Sequence, residues 1–163
     1  MKSLSVRIAL MLALLALDQL GKLWVRLEVP LHRTTPLIPN FIDLTHTENP
    51  GVSFSLLAGL AAGVRVPLLA GISLVAVAAL GWYWLRHRKQ MGAFAELALL
   101  LILPGAVGNL IDRAWFGVVT DFLHFRIYST SLFVNNIADI EISAGVVAYL
   151  LGTVLEKKAR REG

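Results

Sequence analysis

From Val66 to Leu85 the chain carries no charged side chain. About 20 apolar residues are enough to cross the hydrocarbon of a bilayer as one helix. Inside lipid a backbone must satisfy its own hydrogen bonds, which leaves helices and closed barrels as the spanning forms. Three further stretches meet the same test, so the expected spans are residues 5–25, 64–85, 93–111 and 136–155. Pro67 falls in the first turn of the second span, where a missing N–H is tolerated. Only 16% of the 163 residues are charged and 56% are hydrophobic, whereas a soluble domain carries about a quarter charged residues. The expectation is one integral membrane domain over 1–163. It is an all-α four-transmembrane-helix bundle with a small extracytoplasmic β-containing loop region at about 26–63.

The basic residues set the orientation. Arg86, Arg88 and Lys89 crowd the short second link, and Lys157, Lys158, Arg160 and Arg161 crowd the C-terminal tail. The long first link holds only Arg26 and Arg33, and the third only Arg113 and Arg126. The positive-inside bias therefore predicts both termini in the cytoplasm. Lys2 and Arg7 ahead of the run Ile8–Leu17 also fit a cleavable signal peptide. No small-residue cleavage site follows, and the segment continues through Leu23-Trp24-Val25. Trp24, Trp115, Phe116 and Tyr128 suit an outer aromatic belt, and Trp82, Tyr83 and Trp84 an inner one. The net charge of +4 lies beside apolar segments, as topology signals and headgroup contacts do, so no nucleic-acid partner is expected. With no cysteine, thiol chemistry and disulfides are excluded.

Within the first link, Phe41–Thr47 reads as a strand after the Pro39-Asn40 turn. Val52–Ser55 is its expected partner across Asn49-Pro50-Gly51, and Leu56–Ala62 is a brief surface helix.

Polar residues then fall at one depth. At 1.5 Å per residue, Asp18 lies roughly 20 Å beyond Ser5, Asn109 roughly 24 Å beyond Ala93, and Asp139 roughly 24 Å before Leu155. Asp121 sits in the link on the same outer side. Asp18 and Lys22 are four apart and able to pair; Asn109 shares a helix face with Asp112 or Arg113, and Asn136 with Asp139. Gly105 and Gly108 allow a second backbone close to the third span, and Pro104 is expected to kink it. Glu141 is expected to face headgroups, and Glu96 needs no special role.

Carboxylates beside lipid are costly and are functional candidates by default. Asp121 and Asp139 could share a proton for acid/base chemistry, or be solvated interfacial acids. Asp112-Arg113 and Asp18/Lys22 read first as structural ion pairs, and Asn49 with Gly51 as a turn. No HExxH or GxSxG pattern occurs, and the four histidines are scattered, so neither a metal nor a cofactor is expected. A proton-coupled transporter would spread its acids through the bilayer, often with inverted repeats. Here they lie in one layer and no repeat is visible.

Five blocks carry a resemblance. They are Asp18-Gln19-Leu20-Gly21-Lys22, Asn49-Pro50-Gly51-Val52-Ser53-Phe54-Ser55, Gly105–Arg113, Gly117-Val118-Val119-Thr120-Asp121-Phe122 and Asn136-Ile137-Ala138-Asp139. In order and over nearly the whole chain, they resemble the bacterial lipoprotein signal peptidases, signal peptidase II. The departures are Pro104 and Gly105 where Gly-Gly is usual, Asn135 for Phe, Ile140 for Ser and Gly21 for Thr or Ser.

The resemblance implies a monomeric aspartic endopeptidase, multi-pass in the bacterial cytoplasmic (inner) membrane, with its active site on the outer side. It would remove the signal peptide from diacylglyceryl-modified prolipoproteins just before the lipidated cysteine. Its partners would be that substrate, membrane lipid and globomycin-type inhibitors. The catalytic pair maps onto Asp121 and Asp139. The supporting residues map onto Asp18, Lys22, Asn49, Gly51, Phe54, Asn109, Asp112, Arg113 and Asn136.

Overall fold

The computed structural model describes residues 3–51 and 60–162. Four long helices, α1 (Leu4–Glu28), α2 (Ala62–His87), α3 (Ala93–Phe116) and α4 (Ile137–Glu162), are each long and apolar enough to cross a membrane. A four-stranded antiparallel sheet accompanies them, built from β1 (Thr34–Ile38), β2 (Ile42–Asn49), β3 (Val119–Ile127) and β4 (Thr130–Asn135), in the order β1-β2-β3-β4. The sheet is larger than the sequence suggested, because half of it comes from the link between the third and fourth spans. The strand expected near 41–47 is present as β2, but it pairs with β1 and β3. Its expected partner Val52–Ser55 lies outside the described residues, as does most of the expected helix over Leu56–Ala62.

The helices pack through small residues. A Cβ placed on Gly105 would lie 2.5 Å from the Ala138 carbonyl oxygen, and one on Gly145 would lie 2.8 Å from that of Ala98. Two-way contacts of this kind let the α3 and α4 backbones approach closely. The assigned α3 helix runs unbroken through Pro104. It ends at Gly117, whose φ of 74° is the left-handed conformation that glycine adopts without Cβ strain. Gly117 N–H closes the helix on the Arg113 carbonyl at 3.1 Å, and the chain turns directly into β3.

The sheet docks on the end of α1. Val25, Val29 and Phe122 form a buried apolar cluster there. His46 Nδ1 lies 2.8 Å from the Val29 carbonyl oxygen, which can only accept, so Nδ1 carries the proton. Trp84 does not join an aromatic belt as expected. It is buried with Leu99, Leu100 and Leu103, since its helix face turns toward α3, while Trp82 and Tyr83 stay exposed.

Candidate active site

The polar layer assembles where α1, α3, β3 and the start of α4 meet. Asp18, Lys22 and Asp112 are fully buried. Lys22 Nζ lies 2.8 Å from Asp18 Oδ2 and 3.1 Å from Asp112 Oδ2, and it donates to Asn109 Oδ1 at 3.0 Å. Arg26, one further turn along α1, reaches Asp112 Oδ1 at 2.8 Å and donates through Nε to Thr120 Oγ1 at 2.8 Å. Two cations thus face two carboxylates, and the remaining lone pairs are used. Asp18 Oδ1 accepts the Ala138 N–H at 2.9 Å, and Asp112 Oδ2 accepts the Thr120 N–H at 3.2 Å. Buried charges survive only when paired and hydrogen-bonded in this way. The cluster fixes α4 and β3 relative to α1.

Asn109 and Asn136 carry this order outward. Asn109 accepts from Lys22 through its oxygen, so its amide nitrogen points the other way, onto Asp139 Oδ1 at 2.8 Å. Asn136 is the N-cap of α4: its Oδ1 accepts the Asp139 N–H at 2.9 Å, three residues on. That leaves its Nδ2 free to donate to Asp121 Oδ1 at 2.7 Å and to Asn109 Oδ1 at 3.3 Å. One asparagine therefore holds the Asp121 carboxylate and the Asp139 backbone together.

Asn49 holds the other Asp121 oxygen. Its Oδ1 closes the turn on the Gly51 N–H at 3.1 Å, and its Nδ2 donates to Asp121 Oδ2 at 3.0 Å. The turn reading and the site reading are both satisfied by one side chain. Burial pushes the Asp121 carboxyl up to about 7. The Asn49 bond opposes this, the neighbouring Asp139 charge adds to it, and Asn136 and Lys22 lower it again. A buried Asp121 and a half-buried Asp139 thus form an electrostatically coupled pair.

Asp139 faces a cavity of about 830 Å³, lined also by Asn49, Gly51, Asn109, Arg113 and, from α2, Ile72 and Ala76. Arg113 donates to the carbonyls of Asn109 and Gly51 at 3.4 and 3.3 Å, so it edges the cavity. Adjacent helical residues diverge, and Asp112 and Arg113 accordingly do not pair with each other: one turns into the buried cluster, the other toward the loop. Phe54 lies outside the described residues.

A model of the family described as Signal peptidase (SPase) II matches residues 10–155. The chain belongs to the signal peptidase II family. It is similar to the lipoprotein signal peptidase of Syntrophotalea carbinolica, 39% identical over 93% of each chain. It is also similar to that of Streptococcus pneumoniae, 34% identical over 96% of this chain and 97% of the relative. A bacterial membrane enzyme solved by the in meso method has the same fold, with a TM-score of 0.85, 24% identity, and coverage of 98% of this chain and 94% of that one.

Three features of this signal peptidase II chain escaped sequence reasoning. Arg26 falls just past the expected end of the first span, although Asp18, Lys22 and Arg26 follow a four-residue helical period that places it on the same face. Gln19 donates to Asp18 Oδ2 at 3.0 Å and to the Gly108 carbonyl at 3.2 Å, and no spacing rule reveals this. Glu141 does not face headgroups. It is buried and neither carboxylate oxygen has a hydrogen-bond partner; Asp18 and Lys22 are the charges that act on it. His124 points away from Asp121, as strand alternation requires, and lies between Asp43 Oδ2 at 3.3 Å and Ser131 Oγ at 2.8 Å. Asp43 is itself clamped by Arg126 at 2.8 and 3.1 Å.

Proposed function

We propose that this peptidase removes the signal peptide from diacylglyceryl-modified prolipoproteins by water attack activated by the Asp121/Asp139 pair. The observation that carries the reading is the asparagine frame: Asn49 and Asn136 hold the buried Asp121 carboxyl, and Asn109 holds that of Asp139, which lines the cavity. Like charges at close range do not both ionise cheaply, so the pair shares a proton. The ionised member takes a proton from water as its oxygen attacks the scissile carbonyl carbon. The protonated member donates to the developing oxyanion. Collapse of the tetrahedral intermediate breaks the C–N bond, and the proton gained from water goes to the leaving amine of the lipidated cysteine.

The sheet and the site occupy the outer side of the bacterial inner membrane in this reading, with both termini cytoplasmic, as the basic link after α2 favours. The substrate's acyl chains stay in lipid while its signal helix lies along the bundle, so the membrane supplies part of the positioning. A globomycin-type peptide would compete for the same cavity. The chain acts as a monomer in this reading, since one copy brings Asn49, Asn109, Asn136 and both aspartates together.

The test is cleavage of a lipidated precursor by purified Asp121→Asn and Asp139→Asn variants. Both should fold and lose activity by several orders of magnitude. A folded variant that cleaves at the wild-type rate overturns the dyad. Activity abolished by chelators and restored by zinc would favour a metallopeptidase instead.

A further inference from the structure

At the end of the bundle opposite the dyad, α1, the α2–α3 link and the start of α3 enclose a recess of about 480 Å³. Glu96 in its wall is roughly 24 Å along α3 from Asp112, so the recess is separate from the polar layer. Its charge is unbalanced. Arg7, buried, is locked onto Glu96 through two contacts, Nε to Oε1 at 2.5 Å and Nη2 to Oε2 at 3.0 Å, which makes that pair neutral. Arg88 and Lys89 have no carboxylate partner among the described residues. The Arg88 guanidinium is steadied 5.8 Å from the Trp84 ring centroid and donates through Nη1 to the Leu85 carbonyl, and its side chain lines the recess. Beneath these two cations the wall turns apolar, with Leu10 and Leu97 each 42% exposed on the flank where α1 and α3 meet lipid.

We propose that this recess binds the phosphodiester headgroup of an anionic phospholipid, with its acyl chains lying along Leu10 and Leu97. The ligand must be amphiphilic and negatively charged: paired basic donors above an apolar wall, at the end of membrane-spanning helices, match a phosphate carried on a lipid. A free phosphate would gain nothing from the leucines. The two cations are also more than a topology signal, since the recess gives them a defined shape to fill.

The probe is a fluorescent-acyl phosphatidylglycerol, titrated against the full chain held in phosphatidylcholine nanodiscs. The double variant Arg88→Gln/Lys89→Gln should bind it about thirty-fold more weakly, the combined effect of two basic residues at an anionic surface. The control Arg86→Gln/Lys157→Gln removes the same charge from the same end outside the recess, and should change binding far less. The charge-preserving Arg88→Lys/Lys89→Arg variant should retain the lipid. Equal losses in the two Gln variants would reduce the effect to general surface charge and overturn the site. Loss of the lipid by the charge-preserving variant, or displacement of bound lipid by inorganic phosphate, would overturn it too. Thermal unfolding in neutral lipid confirms that each variant is folded before it is scored.

Discussion

Asn109 grips Asp139 through its amide nitrogen, 2.8 Å from Oδ1, only because its oxygen is already taken by Lys22. The buried ion cluster therefore decides which way the amide points. An Asn109→Leu variant keeps the side-chain bulk and removes both of these bonds, together with the one its oxygen accepts from Asn136. The expected result is a fall in kcat of about 100-fold with little change in KM, since a misplaced reacting group slows the chemical step more than it weakens substrate binding. Steady-state kinetics on a lipidated peptide would show the split.

The elevated Asp121 carboxyl makes a pH prediction with a definite sign. Between the ordinary value of 3.8 and about 7, the folded chain holds a proton at Asp121 that the unfolded chain has released. Stability contributed by this group therefore falls as pH rises through that window, and the loss is complete above it. Denaturation of the wild type in micelles should show this decline, and Asp121→Asn should flatten it. In the proposed mechanism this Asp121 proton is the one the pair shares, so the alkaline limb of kcat/KM should lie near 7.

Asn49 permits its two jobs to be separated. Asn49→Asp retains the oxygen that closes the turn on Gly51 but sets an acid in place of the donor to Asp121. Thermal stability should stay within about 1 kcal/mol of wild type, because the turn bond survives. Activity at neutral pH should drop, and the alkaline limb should move to higher pH as the added negative charge favours the protonated pair. A drop in melting temperature with an unmoved pH profile would assign Asn49 to the turn alone.

Close approach of α3 and α4 depends on Gly105. An added Cβ would sit 2.5 Å from the Ala138 carbonyl oxygen, which is backbone and has little room to give. Gly105→Ala is expected to destabilise the fold by about 1–3 kcal/mol. It should also reduce activity beyond that loss, since Asp139 follows Ala138 directly in the first turn of α4. Comparing melting temperature with specific activity of the folded fraction would check both.

Glu141 predicts the opposite. Its carboxylate is buried without a hydrogen-bond partner, so Glu141→Met, similar in volume and without polar oxygens, should stabilise the protein by about 1–3 kcal/mol. A melting temperature at or below the wild-type value would show that Glu141 is compensated through the charge of Lys22.

Sequence reasoning worked best where one rule governed position. Helix length and rise put Asp18, Asn109 and Asp139 at one depth, and the structure joins all three through Lys22 and Asn109. The helix ends were harder. The third span was expected to stop at residue 111, yet α3 continues to Phe116, because Asp112 is neutralised by Lys22 and Arg26 and need not mark a boundary. The strands β3 and β4 were not legible because Val119–Ile127 alternates poorly: its burial runs unbroken from Val119 to Phe122, where the strand meets α1 on one side and the ion cluster on the other. Asn136 was visible as a neighbour of Asp139, but its bond to Asp121 depends on how β4 returns along β3.

The sheet also has a bearing on how this protein comes into being. Asp139 arrives on a membrane helix and Asp121 on a strand, and that strand is held between β2 from the first link and β4. A nascent chain that has threaded its helices but not yet zipped β2 against β3 carries both aspartates and no assembled pair. In the proposed mechanism such a chain lacks its competent centre until the sheet closes, so the protease is harmless during its own biogenesis.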